Sequence, residues 1–148
     1  MQQPAKAVVV YIDGGARGNP GPAGAGVVIQ AADDATVLFE AGYFIGRATN
    51  NVAEYSALTK GLARARALVV EQVEIRSDSE LLVRQMRGEY RVKSERLGEL
   101  FAQANRLCKS FKAVRFTHVP RELNRHADQL VNRAINLKSD VEDAQAGP

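Results

Sequence analysis

The run AVVVYID, Ala7 to Asp13, is apolar and β-favouring throughout and ends in a carboxylate. A continuous apolar run of this length reads as a strand buried on both faces. A carboxylate at the end of such a strand is costly to bury unless it is paired, hydrogen-bonded or bound to a cation. Gly14 follows at once, so Asp13 also fits an ordinary turn, and taken alone it supports both readings equally.

The rest of the chain alternates strand and helix patterns around that run. The stretch GGARGNPGPAGAG, starting at Gly14, is expected to turn rather than extend or coil. Gly26 to Gln30 and Val37 to Ile45 read as strands, joined by a hairpin turn at Asp33 and Asp34. A helix starts near Asn51, with Ala53, Ala57, Gly61, Leu62 and Ala65 forming a stripe of small residues that allows close approach to a sheet. Val73 to Asp78 is a short strand, and Ser79 to Met86 a helix interrupted near Gly88. Leu97, Leu100, Phe101, Ala104, Leu107 and Cys108 recur at helical spacing. Cys108 therefore reads as a packing residue. Val114 to Val119 is a fifth strand, and Ala127, Leu130, Val131, Ala134 and Ile135 mark a last amphipathic helix. The order βββαβααβα predicts an α/β fold: a single domain over residues 1–138, with a five-stranded mixed sheet and helices on both faces. Residues 139–148, acidic and without a base, are expected to be a disordered tail.

Three further acids sit at element ends. Asp78 closes the strand Val73 to Asp78, where its ordinary role is a helix N-cap. Glu54 lies one turn into the first helix, where Asn51 and Glu54 match a capping box. Asp128 lies in the first turn of the last helix, where it complements the helix dipole. For each residue alone the ordinary role is the commoner one. Four such acids at separate element ends point instead to a shared site. Ligands of open sheets sit beyond the carboxyl ends of strands, where Asp13 and Asp78 both stand.

The segments VVVYIDGGARGNPGPAGAGVVI, TNNVAEYSAL, IRSDSELLV and ELNRHADQLVNRA resemble, in order and spacing, the four signature regions of type 1 ribonuclease H, over about Ala7 to Leu137. The resemblance implies the ribonuclease H-like fold and a metal-dependent endonuclease that hydrolyses the RNA strand of RNA–DNA hybrids, leaving 5′-phosphate and 3′-hydroxyl ends. Its acidic quartet falls on Asp13, Glu54, Asp78 and Asp128. Two Mg²⁺ ions, with Mn²⁺ as a substitute, would be bound there. Asp13 would bridge both ions, Glu54 and Asp78 would hold the ion that activates water, and Asp128 would help hold the ion beside the nucleophile. Such ions favour oxygen ligands and keep waters of their own. Residues matching those that read the 2′-hydroxyl are Asn19, Asn50, Asn51, Ser79 and Glu80, and those matching a DNA-phosphate grip are Arg47 and Thr49. Asn50 and Asn51 also suit helix capping, and Asn19 a Gly-Asn-Pro-Gly turn.

Two departures from the family pattern stand out. The basic insertion that grips the hybrid is missing, since Glu89 to Lys93 alone join Gly88 to Ser94. The family's loop histidine has no clear counterpart. His118 alternates with Val114 and Phe116 along one strand face, so it is expected to be partly buried and hydrogen-bonded. Arg121 and Glu122 occupy the short loop where that histidine would stand, and His126 is expected to face solvent.

Charge and cysteine content set looser bounds. The net charge is +3, but residues 1–138 carry 20 bases against 14 acids, a body that can attract a polyanion. One cysteine, no long apolar run and no secretory leader imply a cytoplasmic protein without membrane attachment. No obligate protein partner is expected, and the chain is expected to act as a monomer on an RNA–DNA hybrid. The remaining alternatives are a catalytically weak or inactive nucleic-acid-binding module of the same fold, or an enzyme of broader specificity that also cuts double-stranded RNA. A nucleotide-binding glycine loop is disfavoured. The turn lacks a Gly-Lys-Ser/Thr ending and leads into Val27-Val28-Ile29, whereas phosphate loops open a helix.

Overall fold

A computed structural model describes residues 6–143. Its elements are β1 (Ala7–Ala16), β2 (Gly21–Ala31), β3 (Val37–Ala48), α1 (Asn50–Ala67), β4 (Gln72–Ser77), α2 (Glu80–Met86), α3 (Glu95–Cys108), β5 (Ala113–His118), a 3₁₀ turn (Arg121–Asn124), α4 (Arg125–Leu137) and β6 (Val141–Asp143). The strands form one mixed sheet in the order β5-β4-β1-β2-β3-β6. β1, β2 and β3 are antiparallel neighbours, whereas β4 pairs parallel to β1, and β5 parallel to β4.

The sheet has six strands, one more than the sequence pattern predicts. The extra strand comes from the acidic tail: Val141–Asp143 pairs with Glu40, Ala41 and Gly42 of β3. Asp140 Oδ1 accepts from the Phe44 amide at 2.9 Å, and Arg64 donates to Glu142 at 3.1 Å. Charge alone suggested a solvated tail, but the free edge of β3 supplies backbone partners. Residues 144–148 lie outside the described residues.

The glycine-rich stretch also differs from expectation. β1 continues to Ala16 and β2 begins at Gly21, so only Arg17 to Pro20 turn. Gly14 and Gly15 are paired strand residues, opposite Ala25 and Gly24. Their neighbourhood explains the composition. A Cβ on Gly14 would run into the Ala53 and Glu54 backbone of α1, and one on Gly26 into the Ala127 carbonyl of α4. Glycine here serves close packing on both faces of the sheet.

Alternation along the strands assigns the two faces. Val8, Val10, Ile12 and Val27 join α1, with α3 behind it, in the main core. The small stripe of α1 allows this, with Gly61 lying against Val10, Ile12 and Val27. Tyr11 and Val28 meet Ala127 and Leu130 of α4 on the other face. Each fully buried Leu or Ile, such as Leu58 and Ile75, contributes about 2 kcal/mol. Cys108 packs against the main core, and burial pushes its thiol up to about 11, which leaves it inert as a nucleophile. Among the described residues no helix is long and apolar enough to cross a membrane.

Two substitutions test this packing. Val69 is 76% exposed and held at φ 58°, a left-handed conformation that a β-branched residue resists. Val69→Asn is expected to stabilise the fold by about 1 kcal/mol. Gly26→Ala is expected to cost about 3 kcal/mol, near the upper range for overpacking. Urea unfolding reads both, and an unchanged midpoint for Gly26→Ala would contradict the close approach of α4.

Candidate active site

Strand pairing brings the acids together. Ile12 pairs with Ser77, and Ser77 with His118, so the parallel pairing of β1, β4 and β5 stops at one level, beyond which β1 runs on to Ala16 beside β2. Asp13 and Asp78 each follow one of the paired residues Ile12 and Ser77. Glu54 enters from α1, where Gly14 lets that helix lie against the end of β1. Asp128 enters from the first turn of α4 on the other side. All four line one open cavity of about 700 Å³.

Local contacts fix the frame around them. The Ser79 hydroxyl caps α2 by accepting from the Leu82 amide at 3.2 Å, and the Ser79 amide donates to Ser77 Oγ at 3.0 Å. Asp78 is therefore not the helix cap. Nor does Asn51 form a capping box with Glu54: Thr49 caps α1, accepting from the Val52 amide at 3.2 Å. These corrections free Asp78 and Glu54 of the ordinary roles that the sequence allowed them. The helix-dipole role of Asp128 remains compatible with its position.

The cavity is electrostatically strained. Asp13 is pushed up to about 8, first by burial and then by the charges of Asp78, Asp128 and Glu54. Glu54 is pushed up to about 7 by burial and by Asp78, against the opposing pull of the Ser79 hydroxyl. Few ordinary structural acids are shifted this far. Such shifts cluster at functional sites.

The other expected site residues divide. Asn50, Asn51 and Ser79 line the cavity. Asn19 does not line it but contacts Asn50, its Oδ1 accepting from the Asn50 amide at 3.0 Å, while Asn50 Oδ1 accepts from the Ala16 amide at 2.8 Å. Arg47 and Thr49 sit beside them, at the end of β3 and the cap of α1, but do not line the cavity. Glu80 does not line it either, and its carboxylate accepts from Arg84 at 2.8 Å.

His118 corrects an expectation. It is exposed at the last position of β5 and lines the cavity, where strand alternation had suggested partial burial. The alternation holds to Phe116, but the strand ends at His118 itself. Arg121 lines the cavity too, and Glu122 does not. His126 is half-exposed, with Nε2 3.0 Å from the largely buried Glu40. Arg17 and Asn132 were not singled out, yet both line the cavity, with Arg17 donating to Asn132 Oδ1 at 3.5 Å. The signal for Asn132 was its place one turn beyond Asp128 on the same helix face.

An oxygen-only set of four acids, two of them held well above the usual carboxylate range, suits a hard divalent cation. Among the described residues no three His, Cys, Asp or Glu side chains close up enough to hold an ion unaided.

Residues 11–134 match the model of a family described as reverse transcriptase-like. The bifunctional protein Rv2228c of Mycobacterium tuberculosis is 45% identical over 141 residues, covering 95% of this chain and 39% of that protein. The ribonuclease HI of Halobacterium salinarum is 41% identical over 129 residues, covering 87% of this chain and 64% of that one. The chain thus spans under two thirds of the length of either relative. The crystal structure of LC11-RNase H1 in complex with an RNA/DNA hybrid superposes with a TM-score of 0.84 at 46% identity, covering 88% of this chain and 98% of that one.

Clustered acids imply a linkage between pH, metal and stability. Because Asp13 and Glu54 titrate above the ordinary range when folded, the folded state holds protons that the unfolded chain has lost. In chelator, stability is expected to fall as pH rises from the ordinary carboxylate range to about 8, and to recover on acidification. Asp13→Asn removes one of the mutually repelling charges. It is expected to stabilise the metal-free protein at neutral pH by at least about 1 kcal/mol, the worth of a tenfold bias between protonation states. Thermal melting in chelator checks this, and a lower melting point for Asp13→Asn would mark Asp13 as an ordinary structural acid.

Proposed function

The chain belongs to the type 1 ribonuclease H family, and from that premise we propose that it is an endonuclease that hydrolyses the RNA strand of RNA–DNA hybrids. One observation carries the reading: Asp13, Glu54, Asp78 and Asp128, from four different elements, line a single cavity. A surface that merely binds nucleic acid gains nothing from four acids that repel a phosphate backbone. Hydrolysis of a phosphodiester does gain from them. Two divalent ions held by these acids, Mg²⁺ or in its place Mn²⁺, would supply an activated water and a positive charge against the leaving oxygen.

The chain's own groups then have defined tasks. Asp13, on the central strand, lies among acids from both faces of the sheet and feels the charge of all three. Water's oxygen would bond to phosphorus as the bond from phosphorus to the 3′-oxygen breaks, water giving up a proton to solvent and the 3′-oxygen taking one up, which leaves 5′-phosphate and 3′-hydroxyl ends. Asn50, Asn51 and Ser79, on one side of the cavity, are suited to hydrogen-bond a 2′-hydroxyl, the group that distinguishes RNA from DNA. Asn19 acts there by holding Asn50. Glu80 is engaged with Arg84 and belongs to the same edge. Arg47 and Thr49 are suited to grip a phosphate of the DNA strand. Arg17 and Arg121 supply positive charge among the acids. The chain is read as acting as a monomer, and its single cysteine, Cys108, suits a reducing cytoplasm.

The test is a cleavage panel with Mg²⁺ or Mn²⁺ over hybrid, RNA duplex, DNA duplex and single strands. Hybrid RNA is expected to be cut to 5′-phosphate and 3′-hydroxyl ends. Asp13→Asn and Asp78→Asn are expected to lower kcat by at least about 100-fold while hybrid binding persists. Full activity in chelator, or cyclic phosphate products, would refute the reaction. Cleavage of double-stranded RNA at a comparable rate would make the enzyme one of broader specificity.

A further inference from the structure

Asn124 stands at the N-cap position of α4, one turn ahead of Asp128, and is 1% exposed. An asparagine there ordinarily turns its Oδ1 back onto the first amides of its own helix. This one does not cap its helix. Its Nδ2 donates instead to the Ile12 carbonyl, 112 positions away in sequence, at 2.8 Å. Its Oδ1 is buried without a hydrogen-bond partner, and it is the one such side-chain atom among the described residues. Both features are unfavourable to folding, since a cap is forgone and a buried acceptor is unsatisfied.

What the arrangement obtains is a tie between two acid-bearing elements. Ile12↔Ser77 is the last pair in the β1–β4 register, so β1 and β4 separate beyond it. Ile12 immediately precedes Asp13. Asn124 thus joins the residue before Asp13 to the start of the helix that carries Asp128. Asp13 and Asp128 also approach each other directly, and Arg17, just beyond β1, donates to Asn132 of α4 at 3.5 Å, but of these side chains only that of Asn124 is fully buried. We propose that Asn124 is a positioning residue that sets the placement of Asp13 relative to Asp128, and so the geometry in which the pair takes up a divalent cation. This rests on the reading of the four acids as the reacting site.

Asn124→Ser separates positioning from stability. Serine caps a helix as well as asparagine, but is too short to reach the Ile12 carbonyl. The variant is expected to melt close to wild type in chelator, yet to show a smaller rise in melting temperature with Mg²⁺ alone. It is also expected to need more Mg²⁺ for half-maximal cleavage and to lose 10- to 100-fold in kcat, with the KM for hybrid unchanged, as when a partner of a metal ligand is removed. A Ser variant with wild-type kcat and a wild-type response to Mg²⁺ would overturn the proposal. If the variant does not fold, the side-chain amide resonances of Asn124 in the wild-type protein decide. They are expected to shift with Mg²⁺ over the range in which the protein is stabilised, and resonances indifferent to Mg²⁺ would overturn the proposal. Wild-type protein without Mg²⁺-dependent cleavage would refute the assigned reaction, whereas active wild type beside an equally active Ser variant refutes the tie alone.

Discussion

Parallel pairing of β1 with β4 places two carboxylates side by side at the centre of the sheet. Their mutual repulsion, reinforced by Glu54 and Asp128, sets the terms for the surrounding structure. Carboxylates left to themselves would separate into water. Here the strands that carry them are fixed by a sheet that continues on both sides, and the helices that carry the others are pressed against it. The fold therefore holds charge in an arrangement that is unfavourable without a counter-ion, as the proposed cation site would require.

Close packing makes this possible. Gly14 admits α1 to one face and Gly26 admits α4 to the other, so acids from both helices reach the same strand ends. Polar ties set the finer positions. Asn19 and Asn50 hold the β1–β2 turn to the start of α1, and Ser77 and Ser79 shape the turn after β4. Asn124 joins Ile12 of β1 to α4. Several of these groups forgo an ordinary role: Asp78 and Asn51 do not cap, and Asn124 caps nothing. Local preferences yield where the site requires something else.

How much of this was legible in the sequence depended on the range of the interaction. The acids were legible because each stands near the start or the end of a periodic segment, and the small stripe of α1 announced its close packing. β6 was not legible, since three residues in an acidic tail carry no strand signal until the edge of β3 offers them partners. The extension of β1 and β2 through the glycines was missed because glycine signals a turn locally, whereas here it answers helices many residues away. His118 was misjudged by a single position at a strand end. The role of Asn124 depends on a contact 112 positions distant, and nothing in its own neighbourhood distinguishes it from a simple cap.

The central claim is that these four acids form one electrostatically coupled site that a divalent cation relieves. Calorimetric titration with Mg²⁺ at pH 7, repeated in buffers of different ionisation enthalpy, counts the protons exchanged on binding. With Asp13 held up to about 8 and Glu54 to about 7, binding is predicted to release close to one proton or more. Saturable Mg²⁺ binding with no proton release would contradict the account, because it would mean that the four carboxylates were already ionised and independent before the metal arrived.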